Sequence, residues 1–165
     1  MAEEEETVAK HQERGKDRHP VKNSLIQALE TAFHPRAIAV VGASNNPGSA
    51  GYDYVRHLLD YNFSGTVYPV NPKESEVQGL AAYSRLSNIP GPVDYVICCI
   101  PASMVHDLML DCNCKGVRMM HLFTGRFTET GRAELRQMEL AIMHEAAKLG
   151  IRLIGPNCMG LYYPR

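Results

Sequence analysis

The sequence predicts a doubly wound, Rossmann-like α/β domain built on a five-stranded parallel sheet. Short apolar runs occur without polar alternation, which indicates strands that are buried on both faces. Segments of helical period separate these runs and supply the crossovers that parallel strands need. A glycine-rich segment follows the first run, as in folds that bind phosphate groups. With 165 residues, the chain has the length of one ordinary domain.

Five apolar runs are expected to form the sheet. They are Ala37–Val41, Thr66–Val70, Val93–Ile100, Val117–Phe123 and Ile151–Ile154. When these strands are numbered along the chain, the expected order in the sheet is 3-2-1-4-5.

Helical periods flank and separate the predicted strands. They run from Leu25 to Phe33, from Tyr52 to Leu59, from Val105 to Cys112 and from Ala133 to Leu149. The first is expected to end at His34-Pro35, because proline disfavours the helical conformation in the residue before it. Gly150 is expected to cap the last.

Residues 1–20 differ in composition from the rest of the chain. They are rich in Glu, Lys, Arg, His and Gln and offer almost nothing to bury, so we expect a disordered, charged tail. Residues 21–165 are expected to form the folded domain. The acidic start resembles neither a signal peptide nor a mitochondrial presequence, so a cytoplasmic location is expected.

The overall composition excludes several classes of partner. The net charge of −1 argues against a basic nucleic-acid binder, and no apolar stretch is long enough to span a membrane. Cys112 and Cys114 form a Cys-x-Cys pair that has no second pair to complete a tetrahedral site. We therefore expect no nucleic acid, no membrane and no metal ion.

The segment Gly42–Gly51 follows the first predicted strand and is the first candidate binding site. In such sheets, ligands bind at the carboxyl ends of the strands, where the strand order reverses. Small residues let a phosphate approach the backbone, and the next helix begins with unpaired N–H groups. The hydroxyls of Ser44 and Ser49 are expected to add donors. The segment is interpreted as a phosphate-binding loop rather than as a simple connection.

The end of the second predicted strand bears on the kind of ligand. An NAD site requires an acidic residue near this point to bind the ribose hydroxyls, but the strand is followed by Asn71-Pro72-Lys73. A cation here favours a ligand with an additional phosphate. Both NADP and coenzyme A, with its 3′-phosphate, satisfy that requirement.

Several segments in one order and spacing resemble a known family. They are Ala37–Ser44, Pro47–Tyr52, Val67–Lys73, Val93–Asp94, Ile100–Ala102, Phe127–Gly131 and Gly155–Gly160. Together they resemble the CoA-binding domain of ADP-forming acyl-CoA synthetases of the acetate–CoA ligase type, which are related to the succinyl-CoA synthetase alpha subunit. The resemblance covers roughly Phe33 to Gly160.

The resemblance implies four groups of contacts with coenzyme A. The phosphates would be held by the backbone amides of Gly42, Ala43, Ser44, Pro47 and Gly48, and the adenosine end would lie at Asn71, Pro72 and Lys73. The adenine and pantetheine path would be lined by Ile100, Pro101 and Ala102, and the pantetheine arm would lie near Thr124 and Gly125.

One position departs from the family pattern. The family usually has Ser-Ala-Gly-Phe where this chain has Thr124-Gly125-Arg126-Phe127. The arginine at this strand exit could pair with a phosphate or point to solvent.

The resemblance also implies a reaction: carboxylate, CoA and ATP give acyl-CoA, ADP and phosphate. In the family this needs a phosphorylated histidine on a later domain and an ATP-grasp module. None of the seven histidines matches that histidine, so no catalytic residue is expected and the segment alone should be inactive. The expected partners are downstream synthetase and ATP-grasp domains or subunits, and a homodimer stays open. The alternatives are a stand-alone CoA-binding or regulatory protein and an NADP-dependent oxidoreductase domain.

Overall fold

The computed structural model describes residues 20–161, and the predicted tail, apart from Pro20, lies outside them. Within these residues there are four α-helices: α1 (Pro20–Phe33), α2 (Ala50–Asp60), α3 (Val105–Lys115) and α4 (Ala133–Leu149). The strands are β1 (Ala37–Val41), β2 (Thr66–Val70), β3 (Glu76–Val77), β4 (Leu80–Ala81), β5 (Tyr95–Cys98), β6 (Met119–Leu122) and β7 (Arg152–Ile154). None of the helices in this range is both long and apolar enough to cross a bilayer.

Five parallel strands form the main sheet in the order β2-β1-β5-β6-β7. The predicted fold class and all five predicted strands are confirmed. Numbered along the chain, these strands have the order 2-1-3-4-5, which differs from the predicted 3-2-1-4-5 in the place of the third strand. That strand, β5, lies between β1 and β6 instead of outside β2. The order still reverses beside β1, so the glycine-rich loop remains at the switch point.

Pro69 explains why β2 lies at the edge of the sheet. Proline has no N–H to donate, so it is confined to edge strands or bulges. On its outer side β2 has only a single bridge to Tyr83, whose N–H donates to the Pro69 carbonyl at 2.9 Å. A strand order that placed β2 in the interior would have required a second full ladder on that side. The proline was a sequence signal for the observed order.

The sheet separates two hydrophobic clusters. One side packs against α3 and α4 through residues such as Val96, Met120 and Ile142. The other side packs against α2 through residues such as Val40, Val55 and Ile97. All four residues of β5 are buried, as expected for a central parallel strand.

Helix α1 is confirmed, and three of its large apolar side chains lie largely at the surface. Leu25, Ile26 and Leu29 are 49%, 53% and 44% exposed, so they do not enter the core. Ala28 and Ala32 instead pack against the cluster on the α2 side. Small residues allow the helix to approach the sheet, and the larger apolar side chains remain at the surface.

Candidate functional site

All the residues predicted to contact a ligand lie at one edge of the sheet. They follow β2, β1, β5 and β6, which are neighbours in the sheet. Because the strands are parallel, their carboxyl ends meet at the same edge, and the topology gathers segments that are far apart in sequence.

Gly42 makes the turn that leaves β1. Its φ is +89°, a region that side chains other than glycine rarely adopt, and its N–H donates to the Val70 carbonyl at 2.9 Å. A Cβ at this position would lie 2.9 Å from the Cys99 carbonyl oxygen. The turn therefore packs tightly between the exits of β2 and β5, and glycine is required there.

The start of α2 packs directly against this turn. A Cβ on Gly51 would lie only 1.8 Å from the Gly42 carbonyl oxygen. Ser49 is the N-cap, and its hydroxyl oxygen accepts from the Tyr52 N–H at 3.3 Å. The N–H groups of Tyr52 and Asp53 are bonded to Ser49, so the close approach places those of Ala50 and Gly51 beside the loop, in the arrangement that binds phosphate.

The two serine hydroxyls serve the loop itself. The Ser49 hydroxyl donates to the Asn46 carbonyl at 2.9 Å, so the expected donor to a ligand is already used. The Ser44 hydroxyl oxygen accepts from the Asn46 N–H at 2.9 Å and keeps its own hydrogen for another acceptor. The prediction for Ser49 is wrong because N-capping fixes its side chain locally.

A small hairpin that the sequence did not predict braces the loop from outside. β3 and β4 pair antiparallel around Gln78 and Gly79, whose φ values are +51° and +82°. Asn45 donates to the Glu76 carbonyl at 2.8 Å and accepts from the Gln78 N–H at 3.0 Å. Gln78 also donates to the Tyr52 carbonyl at 2.9 Å, so the hairpin holds both the loop and the start of α2.

The exit of β2 is joined to the loop by Asn71. Its side-chain N–H donates to the Ala43 carbonyl at 2.7 Å, and its side-chain oxygen accepts from the Lys73 N–H at 2.8 Å. Lys73 itself is exposed, and its ammonium has no ion pair or hydrogen bond among residues 25–161. Asn71 thus acts as a brace, and Lys73 presents a free cation at the edge of the sheet.

A cleft of about 630 Å³ opens beside the exits of β5 and β6. Its lining includes five of the predicted residues: Ile100, Pro101, Ala102, Thr124 and Gly125. It also includes Arg126, whose role the sequence left open, and residues that the sequence reasoning did not select: Ala50, Cys99, Phe123, Glu129, Thr130 and Asn157. The predicted residues of the β1 and β2 exits do not line this cleft. The predicted site is therefore divided into an open loop surface and a narrower cleft.

Thr124 fastens the two strand exits that form the cleft. It is only 7% exposed, and its hydroxyl donates to the Ile100 carbonyl at 2.7 Å. The Cys98 thiol lies 3.4 Å from the same hydroxyl oxygen, and burial raises the pKa of this thiol. Both groups are engaged in holding the cleft rather than presented to a ligand.

The turn after Thr124 is held by the carboxylate of Glu129. This carboxylate accepts from the backbone N–H groups of Arg126 and Phe127 at 2.6 and 2.9 Å. Its pKa is lowered by hydrogen bonds from backbone N–H groups, first from its own and then from those of Arg126 and Phe127. Phe127 is fully buried beneath the turn. The Arg126 side chain is exposed and lines the cleft, so the structure is compatible with both roles considered for it.

Asn157 comes from the segment after β7 and closes the cleft from the far side. Its N–H donates to the Thr124 carbonyl at 3.0 Å. A Cβ on Gly125 would lie 3.2 Å from the Asn157 side-chain oxygen and 3.3 Å from a Glu129 carboxylate oxygen. The Gly155-Pro156-Asn157 motif was the sequence signal for this wall of the cleft.

His121 lies outside the cleft and is packed rather than reactive. It is 1% exposed, and its Nε2 lies 2.7 Å from the Cys158 carbonyl, which fixes the donor at Nε2. Its ring makes an edge contact with Tyr54 at 5.6 Å. Burial lowers its pKa, so the neutral form is favoured. Between residues 20 and 161, no group of three or more His, Cys, Asp or Glu is arranged to hold a metal ion.

The geometry suits an elongated ligand that carries phosphate groups. The exits of β2 and β6 are three strand spacings apart, or about 14 Å. Lys73 supplies positive charge at one end and Arg126 at the other, and the loop with its helix start lies between them. A phosphate-bearing head on the open loop surface and a slender arm in the cleft would fill this edge.

Comparisons with known proteins agree with this geometry. The alpha subunit of acetate–CoA ligase [ADP-forming] II from Pyrococcus furiosus is 44% identical over 133 residues, covering 81% of this chain and 29% of that protein. Acetate–CoA ligase [ADP-forming] from Methanocaldococcus jannaschii is 34% identical, covering 81% of this chain and 18% of that protein. The chain thus spans less than a third of the length of these relatives.

A solved structure is also similar to this chain. It is described as the dinucleotide forming acetyl-coenzyme A synthetase 1 of Ca. Korarchaeum cryptofilum in complex with phosphate and ADP. The TM-score is 0.75 at 41% identity, covering 81% of this chain and 28% of that one. The family model described as CoA binding domain matches residues 36–164. The chain belongs to this family of CoA-binding domains.

Proposed function

We propose that this domain binds coenzyme A along the carboxyl edge of its sheet, as the CoA-binding part of an ADP-forming acyl-CoA synthetase. The observation that carries the proposal is the contact between Gly51 and Gly42, which sets the start of α2 against the loop after β1. It leaves backbone N–H groups where a diphosphate needs donors.

The proposed orientation of the ligand follows from the charges and the cleft. The diphosphate lies on the loop residues Gly42, Ala43, Ser44, Pro47 and Gly48. Because the Gly42 N–H is bonded to the Val70 carbonyl and Pro47 has no N–H, the amide donors of this set are those of Ala43, Ser44 and Gly48. The 3′-phosphate faces Lys73, whose ammonium is otherwise unpaired in the described chain. The pantetheine arm enters the cleft past Pro101 and Thr124. The cleft is lined by apolar groups such as Ile100 and Pro101 and by polar ones such as Thr130 and Asn157, which suits a flexible chain that carries amide groups.

The domain binds a substrate but does not perform the phosphoryl transfer. His121 is buried and bonded to a carbonyl, and the cleft thiol of Cys99 has its pKa raised to about 12 by burial. Neither group is prepared to act as a nucleophile at neutral pH. The overall reaction, carboxylate with CoA and ATP to acyl-CoA, ADP and phosphate, therefore requires further synthetase and ATP-grasp domains or subunits.

Titration calorimetry with coenzyme A, NAD and NADP tests the proposal directly. Coenzyme A should bind with measurable heat, and both dinucleotides should bind more weakly. If NADP bound more tightly than coenzyme A, the oxidoreductase alternative would replace this proposal. If none of the three bound, the edge of the sheet would not be a nucleotide site.

An activity assay tests whether this domain can carry out the reaction without further domains or subunits. The purified chain, incubated with acetate, coenzyme A and ATP, should form no acyl-CoA. Formation of acyl-CoA by this chain alone would mean that a catalytic group has been overlooked.

A further inference from the structure

Arg126 occupies a backbone conformation that its residue type does not favour. The non-glycine residues of the described chain with φ in the left-handed region are Asn62, Gln78, Arg126 and Asn157. Asparagine tolerates this region, and Gln78 lies in a tight hairpin turn with its side chain bonded to Tyr52. Arg126, at φ +68°, has neither reason. Such an outlier at the wall of a cleft suggests a role in binding.

The surrounding contacts fix the backbone of Arg126 and leave its charge free. Glu129 accepts from its N–H at 2.6 Å, and Gly125 before it is confined by the Asn157 side chain. The guanidinium makes no hydrogen bond or ion pair with any side chain between residues 25 and 161. The Glu129 carboxylate, the other charged group of the cleft, is engaged with backbone N–H groups. The guanidinium is therefore the charged group of the cleft that has no partner among the described residues, and the ionised Glu129 carboxylate beside it is held by backbone N–H groups.

The position of Arg126 determines which part of the ligand it can reach. It follows β6, about 14 Å from the exit of β2 where Lys73 lies. In the orientation given under the proposed function, on which this inference rests, Lys73 takes the 3′-phosphate. Arg126 then lies at the other end of the site from that phosphate, toward the thiol end of coenzyme A, where the acyl group is attached.

We propose that Arg126 selects acyl groups that carry a second carboxylate, so that the domain prefers CoA thioesters of dicarboxylic acids. A guanidinium binds a carboxylate through two parallel N–H donors, which gives both charge and direction. A neutral acyl chain offers nothing to this side chain. The unfavourable backbone conformation places Arg126 among the residues that line the cleft.

Calorimetry with a matched pair of ligands tests this assignment. Glutaryl-CoA and pentanoyl-CoA have acyl chains of equal carbon number and differ in the terminal carboxylate. The wild-type chain should bind glutaryl-CoA about fivefold more tightly, as for a partly exposed ion pair. Arg126→Gln should abolish this preference, and Arg126→Lys should keep part of it.

Thermal unfolding supplies an independent readout. Arg126→Gly removes both the charge and the strain, so its Tm should rise by about 2–4 °C while the preference disappears. Arg126→Gln removes only the charge and should not raise Tm. An increase in Tm without loss of the preference would separate strain from binding and overturn the assignment.

The outcomes distinguish this inference from the proposed function. If the wild-type chain bound coenzyme A but showed equal affinity for the two thioesters, only the assignment of Arg126 would fall. The assignment of Arg126 would also be wrong if Arg126→Gln lowered the affinity for both thioesters equally. If coenzyme A itself did not bind, the proposed function and this inference would fall together.

Discussion

The side-chain amide of Asn71 donates to the backbone carbonyl of Ala43 at 2.7 Å and so joins the exits of β2 and β1. Its oxygen accepts from the Lys73 N–H at 2.8 Å. One half-buried side chain therefore sets the phosphate-binding loop and the free lysine relative to each other. The spacing between the proposed diphosphate and 3′-phosphate positions therefore depends on Asn71, together with the bond from the Gly42 N–H to the Val70 carbonyl.

Replacing Asn71 should disturb both stability and binding. Asn71→Ala leaves the Ala43 carbonyl without its partner and should lower the free energy of unfolding by about 1–3 kcal/mol. Affinity for coenzyme A should fall because the loop and Lys73 are no longer held together. Urea denaturation and calorimetry measure the two effects. The control is Asn88→Ala, an exposed asparagine in a short turn, which should change neither quantity appreciably.

Asn71→Asp gives a sharper version of this test. The carboxylate has the shape of the amide and can still accept from the Lys73 N–H, but it places negative charge against the Ala43 carbonyl. It should therefore destabilise the fold at neutral pH, and part of the loss should be recovered at low pH, where the carboxyl can donate. An effect that did not vary with pH would contradict a direct bond to this carbonyl.

Gly51→Ala should separate the start of α2 from the loop after β1 and so disrupt the binding site. The new Cβ would lie 1.8 Å from the Gly42 carbonyl oxygen, so the start of α2 must move away from the loop. We expect a loss of about 3 kcal/mol in unfolding free energy and loss of coenzyme A binding. In the matched control, Gly48→Ala, the Cβ meets nothing within 4 Å, and only the positive φ of +87° is unfavourable. The control should cost about 1 kcal/mol. Similar effects of the two substitutions would contradict the close packing.

Lys73→Ala should weaken the binding of coenzyme A selectively. The exposed ammonium is worth on the order of 1 kcal/mol against the 3′-phosphate, so affinity should fall tenfold or less. Dephospho-CoA lacks this phosphate, and its affinity should barely change. Calorimetry with both ligands on both proteins gives the comparison. Equal weakening of the two ligands would mean that Lys73 does not contact the 3′-phosphate.

Protonation of His121 should destabilise the fold in mild acid. Burial lowers its pKa in the folded state, whereas the unfolded chain has the usual value of about 6.5. Below that pH the unfolded chain binds the proton more readily, so the stability present at neutral pH is lost as the pH falls toward the folded-state pKa. Scans of Tm between pH 7.5 and 5.5 should show this decline.

The substitution His121→Gln removes the titrating ring and keeps a donor for the Cys158 carbonyl. Its Tm should depend less on pH across the same interval. His57 is exposed, and His57→Gln should keep the wild-type pH dependence. If the two variants gave the same slope as the wild type, His121 would not be the titrating group.

Much of the site was readable from the sequence because its parts are local. Each predicted group is a short segment that follows a strand, and α4 was predicted with the observed bounds, Ala133–Leu149. The turn at Gly42 was predictable because its φ of +89° is a conformation that glycine adopts readily by itself. Apolar runs, glycine turns and helix periods reflect the preferences of neighbouring residues, which do not depend on the rest of the fold.

The hydrogen bonds that hold the site together could be identified only from the tertiary structure. Asn71 meets Ala43 and Thr124 meets Ile100 only because parallel strands place their exits side by side. The position of β5 was likewise decided by pairing across the sheet, although Pro69 had marked β2 as the edge strand. The sequence determined which residues could bind a phosphate-bearing ligand. The tertiary structure decided which of their polar atoms are used within the protein and which remain free, because hydrogen bonds between distant segments depend on the geometry of the whole sheet.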